Sequence, residues 1–265
     1  LRAGFAASRG SQIIAMNADE WFAPQSLSKM VDIACDTAAD IVFPTVSLDR
    51  YDAHRERHSR VLDATHISID SKSSMVAGLP QLILGGLVAQ VSGVMYSRPL
   101  FEACLLCDKA FRTVGFMACA LSQAQRVSGC GDACFHAVAP KLTDAFDPTM
   151  YARVSRALDE LADSLSEADS GGRLKLASQK FYFVGLVACI ENLCLSPHGV
   201  SSIERSARMR DMLEAPRTRQ MVAALKDNHR GLGLLFGPIA SAKPARCVMC
   251  THLAAFLNRT GAKTA

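Results

Sequence analysis

The sequence predicts an α/β core over residues 1–145 followed by a helical region over residues 146–265. Three observations carry this reading. Short β-rich apolar runs alternate with helical periodicities up to about residue 145. After Pro148, helical periodicities follow one another with few β-rich runs. The chain has 265 residues, of which 49% are apolar and 20% charged, enough to bury a sizeable core. That balance excludes acidic-tail, collagen-like and mucin-like classes. Ten cysteines are fewer than a small secreted disulfide scaffold would carry, and nothing at the start resembles a signal peptide, so they read as reduced cytosolic thiols.

Taken in order, Arg2 to Ser8 reads as a helical turn closed by Gly10, and Ser11 to Met16 as a short buried strand. Asn17-Ala18-Asp19-Glu20-Trp21 follows at the strand's carboxyl end, where ligands sit in open α/β sheets. Pro24 suits the first turn of a helix to about Cys35, with Leu27, Met30, Val31 and Ala34 on one face. Ala39 to Val46 reads as a strand, and the charge-dense segment Asp49 to Arg60 as a surface loop. No charge occurs between Lys72 and Arg98, a window long enough to span a bilayer. Gly78, Pro80, Gly85, Gly86 and Gly93 interrupt it, so a buried helix opened by Pro80, a turn and a strand near Ala89 to Tyr96 are expected instead. A helix near Pro99, a helix over Phe116 to Ala124 and a strand near Arg126 to Ser128 complete the first part. Helices are expected over Tyr151 to Glu167, Leu174 to Leu195, Ser201 to Met212 and Arg217 to Asp227.

The most informative group is Asn17, Asp19 and Glu20. Carboxylate and amide oxygens at a strand end are hard ligands suited to Mg or Mn, ions often shared with substrate phosphates. The same residues also suit the acidic start of the helix that follows, where they would favour its dipole. Both readings stand on spacing alone.

The run from Arg2 to Pro24 (RAGFAASRGSQIIAMNADEWFAP) resembles the middle of a family 2 glycosyltransferase, in which a helix end leads through a strand to an Asp-x-Asp-Asp-Trp motif and then proline. Val91 to Glu102, Ala120 to Val127, Cys134 to Val138 and Leu213 to Leu225 resemble later elements of that family in the same order. The resemblance implies a partial glycosyltransferase A-type (nucleotide-diphospho-sugar transferase) sheet with helices, followed by a helical C-terminal part. It implies inverting transfer of a sugar from a nucleotide-sugar donor to a glycan or lipid-linked acceptor hydroxyl, in cell-envelope or capsule polysaccharide synthesis. By position it makes Asp19 the metal ligand for Mg or Mn, with Asn17 as a second ligand and Glu20 beside them.

The chain departs from the family pattern at several places. The resemblance puts the family's nucleotide-binding front half before Leu1, and Asn17 stands where the first Asp of the motif is expected. The family's Glu-Asp pair, which supplies the general base, aligns with Arg112-Thr113 or with Phe116-Met117, none of which accepts a proton at neutral pH. No catalytic base is assigned, Asp108 reads as a solvated charge, and weak or absent transfer is expected. A noncatalytic scaffold with a degenerate glycosyltransferase fold is the alternative.

Other spacings stand beside these. Cys104 with Cys107, Cys247 with Cys250 and His252, and Cys130 with Cys134 have spacings open to zinc but read better as small buried hydrophobes. His54 and His58, four apart among charges, read as a solvated helix face. From Glu204 onward eleven Lys and Arg face four Asp and Glu, so a net charge of only +4 hides a basic C-terminal stretch. Its helices suit an anionic membrane surface or an ordinary packed face, and the overall balance argues for no nucleic acid. The expected location is cytoplasmic, with a peripheral position at the inner face of the membrane.

Overall fold

A computed structural model describes residues 1–51, 57–106, 113–138, 146–165, 172–196, 200–228 and 231–259. They form two compact units, Leu1–Pro140 with Ala157–Ser178, and Lys141–Arg156 with Gln179–Ala265.

The first unit opens with α1 (Arg2–Ala7), capped at Ser8 rather than Gly10 because the chain turns extended there. It continues through β1 (Gln12–Ile14), β2 (Trp21–Phe22), α2 (Ser26–Thr37), β3 (Ile41–Tyr51), β4 (Arg57–Leu62) and β5 (Ser68–Ile69). Then come α3 (Lys72–Leu84), β6 (Met95–Ser97), α4 (Arg98–Leu106), α5 (Val114–Gln123) and β7 (Val127–Val138). The seven strands form one sheet along the path β1-β6-β3-β7-β2, with β4 added to β3 and β5 to β7. β1 and β3 both run antiparallel to β6, and β7 runs parallel to β3, so β1, β3 and β7 point the same way. The register sets the carboxyl end of β1 level with Val42, so the chain leaves β1 beside the later halves of β3 and β7.

α2 packs its buried Met30 and Ala34 on Val42, Met95 and Cys130 of the sheet. Leu27 and Val31 lie outside this contact and are half exposed, so the apolar face is narrower than its spacing suggested. A second core joins Tyr96, Phe101 and Phe116, whose ring centroids lie 5.5 to 6.0 Å apart in tilted and edge-on pairs. The register between β3 and β7 jumps from Pro44↔Cys130 to Thr45↔Cys134, a bulge that takes Gly131, Asp132 and Ala133 out of the ladder.

Four expectations are corrected here. Asp49 to Arg60 is not a surface loop: β3 runs on to Tyr51 and β4 pairs back along it from Arg57, with 52–56 outside the described residues. The charges misled because they find partners on the sheet. His58 accordingly sits on a strand, not a helix, and His54 lies outside the described residues. Pro80 does not open its helix: Ser71 caps α3 in a reciprocal bond with Ser74, and Pro80 falls inside it. β7 is also four times longer than Arg126 to Ser128 suggested, because alternating small and polar residues there pair with β3. Among the described residues no helix is long and apolar enough to cross a membrane.

The second unit is helical. α6 (Met150–Leu165), α7 (Arg173–Leu195), α8 (Ser202–Glu214), α9 (Pro216–Leu225), α10 (Phe236–Ala240) and α11 (Pro244–Arg259) follow in order, the first two contributing to both units. A hydroxyl chain ties this unit together: Tyr151 and Tyr182 lie 3.1 Å apart, Tyr182 and Thr218 3.1 Å apart, and Thr218 donates to the Met212 carbonyl at 2.7 Å. Each buried hydroxyl thereby keeps a partner.

Candidate functional site

The site is built beyond the carboxyl end of β1, beside the second halves of β3 and β7. Residues 15–20 lead from β1, on one flank of the strand path, to β2 on the other. Within them the Glu20 carboxylate closes the turn, taking the Asn17 backbone N–H on Oε2 at 2.6 Å and the Asn17 side-chain amide on Oε1 at 2.9 Å. Asp19 stands exposed in this turn.

This separates three residues that the sequence grouped together. Glu20 acts as the clamp of the turn, its two oxygens already engaged by Asn17. Asp19 offers a solvent-facing carboxylate, and Asn17 keeps its side-chain oxygen because its NH₂ is the donor to Glu20. Among the described residues no group of three His, Cys, Asp or Glu could hold an ion. The donors present suit a hard ion completed by substrate phosphates and water, the usual habit of Mg, and do not suit a closed protein cage.

Immediately after the turn, Trp21 pairs with His136 of β7, and the two rings stack with centroids 4.8 Å apart and planes 5° apart. His136 Nδ1 lies 2.9 Å from Oδ2 of Asp49, whose side chain is fully buried. Ser47 and Ser59 donate their hydroxyls to Asp49 Oδ1 at 2.7 and 2.6 Å, and Arg57 Nε lies 3.2 Å from the same oxygen. Burial alone would raise the Asp49 carboxyl, but the bonds from Ser59, Ser47 and His136 and the Arg57 charge overcome it and hold it down to about 2. On the other side of the imidazole, Cys134 Sγ sits 3.5 Å from Nε2. Burial first and the Asp49 charge second push that thiol up, so it is a neutral group rather than a thiolate nucleophile.

Sequence reasoning missed this network. Its signal is the period of two in Ser47-x-Asp49, Arg57-x-Ser59 and Cys134-x-His136, which puts each pair on one face of its strand.

The expected base positions are empty of carboxylates. Thr113 caps α5 by accepting the Phe116 N–H, Phe116 and Met117 are buried in the core, and Arg112 and Asp108 lie outside the described residues. A carboxylate does reach the start of α5 from elsewhere: Glu160 of α6 fills the space that a side chain on Gly115 would need.

Cys107 lies outside the described residues, whereas Cys104 and Cys247 are buried thiols not joined in disulfides. Burial, ahead of the neighbouring Cys194 and Cys250, pushes Cys247 up to about 12, which keeps it protonated at neutral pH.

Residues 1–104 match the sequence profile of glycosyl transferase family 2. No protein of curated function matches the chain. Among solved structures, Staphylococcus aureus TarS residues 1–349 in complex with UDP-GlcNAc is similar with a TM-score of 0.53 and 11% identity, covering 98% of this chain and 70% of that one. The same TarS segment without that ligand in its description gives 0.52 and 12% over 98% and 69%. A longer TarS chain gives 0.50 and 10% over 94% of this chain and 41% of its own. Residues 1–104 are thus similar to glycosyl transferase family 2 by profile, and nearly the whole chain shares the fold of the TarS segment, a glycosyltransferase A-like sheet with helices followed by a helical C-terminal part.

Proposed function

We propose that this chain serves sugar transfer from a nucleotide-sugar donor, of the uridine diphosphate type, to an acceptor hydroxyl in cell-envelope or capsule polysaccharide synthesis. The observation that carries this reading is the Asn17–Glu20 turn. It holds an exposed Asp19 just beyond the carboxyl end of β1, and the resemblance of the Arg2 to Pro24 run to the family aligns this residue with the acidic motif. The TarS segment with the same fold is described with UDP-GlcNAc bound, which favours the same donor class here.

Each residue has a task in this reading. Asp19 and the Asn17 side-chain oxygen would hold Mg or Mn, which neutralises charge on the departing diphosphate. Glu20 keeps Asn17 in place, and Trp21 fixes the end of the turn against β7. Transfer through these residues is slow, because Phe116 and Met117 supply no carboxylate to take the acceptor proton. Inversion is the expected stereochemistry.

The acceptor is a glycan or a lipid-linked one. α11 supports a peripheral position at the cytoplasmic face of a membrane, since it leaves Met249, Leu253 and Phe256 exposed at spacings of four and three, with Lys243 and Arg246 exposed near its start. The buried Phe116-Met117 pair also favours a second reading, a noncatalytic scaffold that has kept the fold.

Release of UDP from UDP-GlcNAc in the presence of manganese separates the two. The expected result is slow, Asp19-dependent release, at least about a hundredfold below a typical turnover of about 10 per second. Full-rate turnover by this chain contradicts the impaired site, and no release together with no donor binding supports the scaffold.

A further inference from the structure

We propose that the buried Asp49–His136 pair is the positioning device of the donor-site turn: Asp49 fixes the His136 ring, the ring fixes the Trp21 indole by stacking, and Trp21 anchors the carboxyl end of the Asn17–Glu20 turn. The proposal rests on the donor-site reading only for what the turn binds. The chain of contacts is independent of it.

Every link is a direct contact. Asp49 cannot swing, because two serine hydroxyls and Arg57 occupy one carboxylate oxygen while His136 occupies the other. His136 is held at both ring nitrogens, by Asp49 at Nδ1 and by the Cys134 sulfur at Nε2, so its plane is set from β3 and from its own strand. Trp21 is 40% exposed and lies nearly parallel on that plane, an offset stack across a two-residue strand pairing. A two-residue ladder is a weak tether by itself, and the stack supplies the missing restraint. Ala23 N–H adds a bond to the Cys134 carbonyl at 2.9 Å, so Cys134 and His136 grip both ends of the short strand.

The arrangement matters because Asp19 is exposed and, among the described residues, no side-chain bond aims it. Its position comes from the two ends of its segment. One end is β1, where Gly93 N–H bonds the Ala15 carbonyl at 3.0 Å, and the other is Trp21. Asp49 and His136 are therefore positioning residues: on these contacts they act through Trp21 and through no bond to the turn itself.

Trp21 is the sole tryptophan of the chain, so its fluorescence reports the stack without ambiguity. His136→Gln, which removes the ring, is expected to raise Trp21 emission, lower its steady-state anisotropy and increase acrylamide quenching about twofold. Manganese-dependent UDP affinity is expected to fall at least about fivefold in the same variant. His136→Phe keeps a flat ring without the Asp49 bond and should recover anisotropy in part. Asp49→Asn, which preserves shape, gives the same signs with smaller size and serves if His136→Gln does not fold. Unchanged Trp21 anisotropy and quenching in folded His136→Gln or Asp49→Asn overturns the proposal, whatever happens to thermal stability. If the unaltered chain binds no UDP with manganese, the donor-site reading fails, and the fluorescence results alone still decide the positioning claim.

Discussion

Asp49→Ala is expected to destabilise the first unit by about 3 kcal/mol, because it removes the fully buried carboxylate at the centre of an ionic cluster and leaves its partners without theirs. Ser47, Ser59 and His136 would each lose their carboxylate acceptor, and the Arg57 guanidinium its counter-charge. The midpoint of thermal unfolding should fall by roughly 10 °C, read by circular dichroism. The effect has a pH signature of fixed sign. The folded carboxyl sits at about 2 against an ordinary 3.8, so the unfolded chain binds the proton more readily and stability rises with pH across that window. The contribution, about 2 kcal/mol, is fully present above the ordinary value and is lost as the pH falls through the folded one. The gap between the unaltered chain and Asp49→Asn should accordingly close on acidification from pH 5 toward about 2. A gap that stays constant would mean that Asp49 is not ionised in the folded state.

Gly129→Val is expected to cost about 3 kcal/mol or more for a different reason, since there is no room for any side chain. A β-carbon at Gly129 would overlap the Ala64 carbonyl oxygen and press on Ile67 Cβ at 3.1 Å. Both neighbours belong to the segment that leads into β5, and Gly129 N–H bonds the Ile67 carbonyl at 2.9 Å. The segment would have to leave β7, breaking that bond and the Ser68↔Ser128 and Ile69↔Val127 pairing. Hydrogen exchange should show loss of protection at Gly129 and in β5 beyond the loss spread over the sheet. A folded variant within about 1 kcal/mol of the unaltered chain would show that the 64–69 segment yields freely.

What was legible in the sequence follows the range of the forces involved. The helical half reads well because helical periodicity and its stops are local: α7 ends at Leu195 and α8 opens behind the Ser201 cap, close to where spacing placed them. The strand before Asn17 and the helix after Pro24 were legible for the same reason. β3 and β7 were not, because their outer halves are rich in Ser, Asp, Cys and His and are stabilised by each other across about ninety residues of chain. The charge density around Asp49 suggests a surface loop, yet its four partners come from three strands. The motif Asn17, Asp19 and Glu20 was visible as a group, but its division of labour, with Glu20 clamping Asn17 and Asp19 left open, depends on backbone geometry that spacing does not encode.

Manganese titration with and without UDP, followed by electron paramagnetic resonance on the unaltered chain and on Asp19→Ala, tests the account most directly. The predicted result is ion binding that strengthens when UDP is present and falls at least about tenfold in Asp19→Ala. Ion binding indifferent to UDP, or retained in full without the Asp19 carboxylate, would contradict it.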